Sequence, residues 1–75
     1  MSTGKLPVVS GDQLVKALGR AGWQVVRQRG SHVRLKHPDR QMALTIPLHK
    51  ELKRGTLRGI LGDAGLDVDQ LRELL

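Results

Sequence analysis

A histidine surrounded by basic residues lies within residues 27–38, which read RQRGSHVRLKHP. His32 follows a Gly-Ser pair, with Arg29 before it and Arg34 and Lys36 after it. An imidazole with an ordinary pKa of about 6.5 exchanges protons at cellular pH, whereas guanidinium and ammonium groups stay charged. A proton carrier beside fixed cations is what metal-free cleavage of an RNA phosphodiester needs, because the 2′-hydroxyl must lose a proton while charge builds on the phosphate.

Two other interpretations of this histidine stay open at the level of sequence. Gly30 and Ser31 have the character of a tight reversal, so His32 could be a half-exposed turn residue without chemistry. A metal site is less favoured, because His32 and His37 point to opposite faces of one extended segment and no carboxylate-rich cluster completes a ligand set. His49 could approach His32 across the sheet end or simply cap a loop. We predict no metal and no cofactor.

The positive charge is concentrated in the middle of the chain. The whole chain carries +6. The segment from Lys16 to Arg58 has eleven Lys or Arg against two acidic residues, a net charge of +9, whereas the tail after it is acidic. Such a patch favours polyanions, and nucleic acid first. Lys53 and Arg54 precede a predicted helix, whose first N–H groups attract anions, so both are candidate phosphate contacts.

Helical periodicity predicts two main helices. Ser10 and Gln13 form a capping-box pattern ahead of a first helix over about residues 11–21. We expect Thr56 to cap the second helix, whose apolar stripe ends before Gly65.

Three extended runs separate these helices, and a tight turn at Gly30 and Ser31 joins the first two. Period-two alternation in the second run places Arg34 and Lys36 on the same face as His32, opposite Val33 and Leu35. The runs cover residues 23–29, 32–37 and 42–46. The basic face of the second run consists of His32, Arg34 and Lys36.

The same alternation, applied to the first run, predicts which residues share a face there. It puts Trp23 and Val25 on one face and Gln24, Val26 and Gln28 on the other.

The order α-β-β-β-α predicts a two-layer α+β domain, in which two helices cover one face of a three-stranded antiparallel sheet and leave the other face open. Asp67 and Gln70 repeat the capping-box pattern and predict a short C-terminal helix. We expect residues 1–75 to form a single domain, with residues 1–6 as a loose end.

Composition excludes several classes of protein. The chain has no cysteine, so disulfides and thiolate metal sites are impossible. It has no apolar run near the roughly 20 residues of a membrane-spanning helix, and its start is too short and polar for a signal peptide. We therefore expect a soluble, cytoplasmic protein without a membrane partner.

Two longer runs carry a family resemblance. AGWQVVRQRGSHVRLKHPD and TIPLHKELKRGTLRGILGDAGL contain an A-G-aromatic opening, a Gly-Ser-His, an I-P-x-H and a G-T-L-x-x-I-L ahead of an A-G-L helix end. Their order and spacing resemble the HicA toxin family of bacterial toxin-antitoxin pairs, from about Ser10 to Leu66. The resemblance implies a fold like that of double-stranded-RNA-binding domains, the plan reached above from periodicity.

The resemblance also implies a ribosome-independent mRNA interferase, an endoribonuclease of a type II pair that a cognate HicB antitoxin holds inactive. The catalytic histidine of the family motif falls on His32, and we assign Gly30 and Ser31 to the turn that aims it. The residues expected to hold RNA phosphates are Arg29, Arg34, Lys36, Lys53 and Arg54.

An alternative from another class is a non-catalytic double-stranded-RNA-binding module with the same fold and patch. It predicts that RNA binding and harm to cells both survive His32→Ala. A DNA-binding regulator is not favoured, because neither helix offers a basic recognition face.

Overall fold

The computed structural model describes residues 5–75. The three strands of this part of the chain form one antiparallel sheet in the order in which they follow along the chain, with the apolar sides of the helices on one face. This is the predicted α+β architecture, including the short C-terminal helix. The elements are α1 (Gly11–Arg20), β1 (Gln24–Arg29), β2 (His32–Lys36), β3 (Leu44–Pro47), α2 (Arg54–Ala64) and α3 (Val68–Leu74).

The predicted capping box at the start of α1 is confirmed. The Gln13 backbone N–H donates to the Ser10 hydroxyl at 3.0 Å, and the Ser10 N–H donates to the Gln13 side chain at 2.8 Å. These bonds satisfy donors that every helix start leaves without an intrahelical partner. Gly11 also donates its N–H to the His49 carbonyl at 2.9 Å, which ties the helix start to the chain that follows β3.

The prediction that Thr56 caps the second helix is wrong. Helix α2 begins at Arg54, and its N-cap residue, Lys53, makes no side-chain capping bond. The Leu57 N–H already closes the first turn on the Lys53 carbonyl at 2.9 Å. The first three residues of the helix are exposed and its buried stripe begins at Leu57, so neither a capping side chain nor burial accounts for the start at Arg54. Its predicted end is confirmed at Gly65, which adopts a left-handed φ of 71°.

The core lies between the helices and one face of the sheet. On β2 and β3 the burial alternates residue by residue, which confirms the predicted facing of Val33 and Leu35. Leu6 also belongs to the core and is only 8% exposed, so the loose end expected over residues 1–6 does not extend to it. Residues 1–4 of that expectation lie outside the described residues.

Strand β1 contains a β-bulge that changes which way its side chains face. Val25 pairs with Leu35, and Arg27 pairs with Arg34, so two successive β2 residues face β1 residues that are two apart. Val26 is the extra residue between them. Directly paired residues share a face of the sheet. Val25 therefore lies on the helix side with buried Leu35, and Arg27 lies on the open side with Arg34.

The bulge makes the predicted alternation of β1 wrong. Gln24 pairs with Lys36 on the open side, whereas Gln28 pairs with buried Val33 on the helix side, so the two glutamines do not share a face. A regular strand that kept Trp23 and its alternating neighbours inward would have turned both β1 arginines toward the helices. One extra residue instead keeps both arginines on the open side of the sheet, on a strand whose residues are all exposed.

Candidate active site

The turn between β1 and β2 positions the predicted catalytic histidine. Arg29 and His32 are cross-strand partners, so only Gly30 and Ser31 lie between the strands. Gly30 has a φ of 58°, and no non-glycine residue from 5 to 75 has a positive φ, which fits a tight turn with glycine at its first central position. The Ser31 carbonyl accepts the Leu48 N–H at 2.6 Å and ties the turn to the end of β3.

His32 lies on the open face of the sheet. It is the first residue of β2, it is exposed, and it pairs with Arg29 on one side and Pro47 on the other. The next residue, Val33, is buried among the core residues. The imidazole is therefore available to a ligand that approaches the sheet from the side without helices.

Five side chains line a shallow depression of about 150 Å³ on this open face. We call it the guanidinium cup, and it consists of Arg27, Arg29, His32, Arg34 and Thr45. The strand register explains its composition, because Arg29 faces His32 in one row and Arg34 lies between Arg27 and Thr45 in the next. All three strands contribute to the cup.

The positive charge of the cup has no acidic partner in the described part of the chain. The side chains of Arg27, Arg29 and Arg34 make no ion pair and no hydrogen bond with residues 5–75. The ion pairs found among residues 5–75 join Lys16 to Asp12 in α1 and Arg72 to Asp69 in α3. An anion with several oxygens could accept hydrogen bonds from more than one of the three guanidinium groups at once.

The structure brings some of the predicted phosphate-binding residues together and separates others. Arg29 and Arg34 line the cup. Lys36 is on the same open face but lies two residues beyond Arg34, opposite Gln24, and does not line the cup. Lys53 and Arg54 lie at the start of α2, also outside its lining.

Two residues of the cup were not identified from sequence. Arg27 was not predicted to lie near His32, because regular alternation places it on the same face as Trp23 and Val25. Thr45 was assigned only to a strand. Strand alternation could have identified Thr45. It lies one residue before buried Ile46, so it faces the open side, and it pairs with Arg34 in the antiparallel register.

His37 has a structural role on the other side of the sheet. Its Nε2 lies 3.2 Å from the Ala21 carbonyl oxygen, and its Nδ1 accepts the Asp39 N–H at 3.0 Å. Its ring also contacts the Trp23 ring edge-on, with 5.3 Å between centroids. These contacts fit a neutral imidazole that carries its proton on Nε2.

Neither His37 nor His49 lines the cup, so His32 is its only imidazole. Over residues 5–75, no three His, Cys, Asp or Glu side chains are grouped so that they could hold a metal ion. In the same part of the chain, no helix is long and apolar enough to cross a membrane. The chemistry that the cup offers is anion binding beside a group that can accept and return a proton.

A protein-family model matches most of the chain. The model of the HicA toxin of bacterial toxin-antitoxin systems matches residues 11–66, which extend from the start of α1 to just past the end of α2. The match covers every strand and all five residues of the cup. No curated protein matches the chain significantly.

Proposed function

The chain belongs to the HicA toxin family, and we propose that, as the toxin of a bacterial toxin-antitoxin pair, it is a metal-independent and ribosome-independent endoribonuclease that cleaves mRNA. The observation that carries this proposal is the position of His32, exposed at the edge of a cup with three guanidinium groups that have no partner in the described chain. An mRNA substrate implies a cytoplasmic site of action.

His32 serves as the proton carrier in this proposal. The imidazole takes the proton of a 2′-hydroxyl as its oxygen attacks the adjacent phosphorus, and the bond from phosphorus to the 5′-oxygen breaks. The proton then passes to that leaving oxygen, so the products are a 2′,3′-cyclic phosphate and a 5′-hydroxyl end. General acid–base help of this kind is typically worth about 10²–10⁴ in rate.

Arg29 and Arg34 hold the phosphate and stabilise the charge that grows on its oxygens. They flank His32 from two different strands, so a phosphate bound between them lies beside the imidazole. Lys36 extends the positive face along β2, and Lys53 with Arg54 supplies cations at the start of α2 for more distant phosphates of the same RNA. Gly30 and Ser31 aim the imidazole through the tight turn.

The cognate HicB antitoxin covers the cup in the inactive pair. Occupying it blocks the imidazole and the phosphate site together, because one depression contains both. We expect the antitoxin to present acidic groups there, since complementary charge speeds encounter and selects the partner.

The test is RNA cleavage by purified protein in EDTA, with wild type beside His32→Ala. We expect wild type to cleave and to leave cyclic phosphate ends, whereas His32→Ala loses cleavage by at least about 10²-fold. RNA binding by the variant should largely persist, because the guanidinium groups remain. His49→Ala is the matched control and should cleave like wild type, since His49 does not line the cup.

A different result would assign another function. If wild type binds RNA without cutting it, and His32→Ala remains as harmful to cells as wild type, the chain is a non-catalytic RNA-binding module with the same cup.

A further inference from the structure

The imidazole of His32 is the one aromatic ring on the open face of the described sheet, and no larger ring lies there for a base to stack on. The whole chain contains one Trp and no Phe or Tyr. That residue, Trp23, is 4% exposed and packs against His37 as part of the core. Proteins that read the bases of single-stranded RNA usually stack them on Phe, Tyr, Trp or His, and each stacked base contributes strongly to affinity. The only such ring in the cup is that of His32, which the proposed function uses as the proton carrier.

The groups that do line the cup suit phosphate oxygens. Three are guanidinium forks, one is the Thr45 hydroxyl, and one is the imidazole of His32. Guanidinium groups also stack on bases or read guanine edges in some proteins, so their arrangement must decide between these ligands.

The arrangement favours an anion. Arg27 and Arg34 are direct cross-strand partners, and neither has an acidic partner among residues 5–75. Like charges placed directly opposite each other in a sheet repel. A neutral base would leave that repulsion in place, whereas a phosphate shared by the two guanidinium groups removes it.

We propose that the guanidinium cup binds one phosphodiester of the RNA strand through Arg27, Arg29, Arg34 and Thr45, and that it reads the RNA backbone without regard to the base. The assignment of RNA as the ligand rests on the proposed function. Arg27 and Thr45 thereby become phosphate-binding residues, and the toxin cuts unstructured RNA at steps of any sequence.

The test uses fluorescent ten-nucleotide 2′-O-methyl RNAs, which lack the internal nucleophile and so report binding without cleavage. Oligo-A, oligo-C, oligo-U and one mixed sequence are titrated at several salt concentrations. We expect Kd values within about threefold of one another at each salt concentration, because electrostatic binding is independent of sequence. Each lost phosphate contact should reduce the slope of log affinity against log salt by about 0.7.

Variants locate the site. Arg27→Gln should weaken binding of all four RNAs by the same factor and reduce the salt slope. Thr45→Val should also weaken binding of all four RNAs equally. Thr45→Ser keeps the hydroxyl and should restore binding. Lys16→Gln removes the same charge from α1, outside the cup, and should leave affinity within about twofold because its charge is distant and screened.

The outcomes separate this inference from the proposed function. A preference above tenfold for one sequence, or a lack of effect of both Arg27→Gln and Thr45→Val, overturns the inference even if unmodified RNA is cleaved. Binding that does not depend on base, together with no cleavage of unmodified RNA, supports the inference and overturns the nuclease assignment. No binding to any of the four RNAs overturns the inference.

Discussion

Arg27 and Arg34 face each other across β1 and β2 on the open side of the sheet, two guanidinium groups with no acidic partner among the described residues. A sheet does not gain stability from such a pair. The pair is explained if the HicA toxin keeps a phosphate site charged at some cost to its own fold, as binding sites often do.

Replacing one member of this pair should therefore stabilise the folded protein. We expect Arg27→Gln to raise the free energy of unfolding by about 0.2–1 kcal/mol, because like charges across a sheet are destabilising on that scale. Urea denaturation of both proteins at low salt measures the change. In high salt the difference should shrink, since exposed charges are screened. A loss of more than about 1 kcal/mol would show that Arg27 supports the fold.

Deleting Val26 should preserve both fold and activity. Val26 is the extra residue of the bulge and is 51% exposed. Without it, β1 can pair regularly while Val25 still faces the helices and Arg27 still faces Arg34. We expect RNA cleavage to stay within about threefold of wild type, because removing a bulge changes mainly the local twist. Cleavage assays and circular dichroism check this.

Deleting Gln28 is the matched control, because it also shortens β1 by one residue. The hairpin keeps Arg29 opposite His32, so Arg27 must now pair with buried Val33 on the helix side. We expect RNA affinity to fall and stability to drop. Equal behaviour of the two deletions would mean that the bulge does not decide where Arg27 points.

Alanine at Gly30 should disturb His32, the proposed catalytic histidine. Gly30 has a φ of 58°, in a region that side chains disfavour, although a Cβ would meet no neighbouring atom. We expect Gly30→Ala to lower stability by about 1 kcal/mol and to reduce cleavage, because the turn is proposed to aim His32.

The control for this substitution is Gly62→Ala in α2, where a Cβ also meets nothing and φ is not positive. It should raise stability by about 0.5–1 kcal/mol without changing cleavage. Thermal melts of both variants decide the sign. A stable and fully active Gly30→Ala protein would contradict the role of the turn.

An acidic cap should stabilise α2 and weaken RNA binding. Lys53 is the N-cap residue and makes no side-chain capping bond. We expect Lys53→Asp to add about 1 kcal/mol of stability, because it supplies the missing acceptor and suits the helix dipole. RNA affinity should fall, since Lys53 is proposed to contact a phosphate.

Lys50→Asp makes the same change of charge outside the capping position and should not gain that stability. Chemical denaturation and binding titrations on both variants separate the cap from the charge. Unchanged RNA affinity in Lys53→Asp would remove Lys53 from the proposed interface.

His37→Ala should cost stability without abolishing the chemistry. The substitution removes two hydrogen bonds and the contact with Trp23. We expect a loss of about 1–2 kcal/mol, with cleavage retained at temperatures where the variant is folded. Denaturation and cleavage at low temperature test this. If the folded variant loses cleavage as His32→Ala does, His37 takes part in the reaction.

Much of this fold follows from local sequence chemistry. The capping boxes at Ser10 and Asp67 are predicted by residues three positions apart, and both form. The alternation of β2 turns His32 away from the core without reference to any other segment. By contrast, Thr56 matched a capping preference that the structure does not use, because α2 already begins at Arg54.

The sequence by itself therefore determined the elements, their order and the exposed position of His32, because capping, turn and strand preferences act over a few residues. Only the tertiary structure decided that Arg27 joins Arg29 and His32. The turn pairs Arg29 with His32, while the core pairs Val25 with Leu35. Between these two pairs, β1 contains one residue more than β2. Val26 is that extra residue and forms the bulge, so both arginines face the open side.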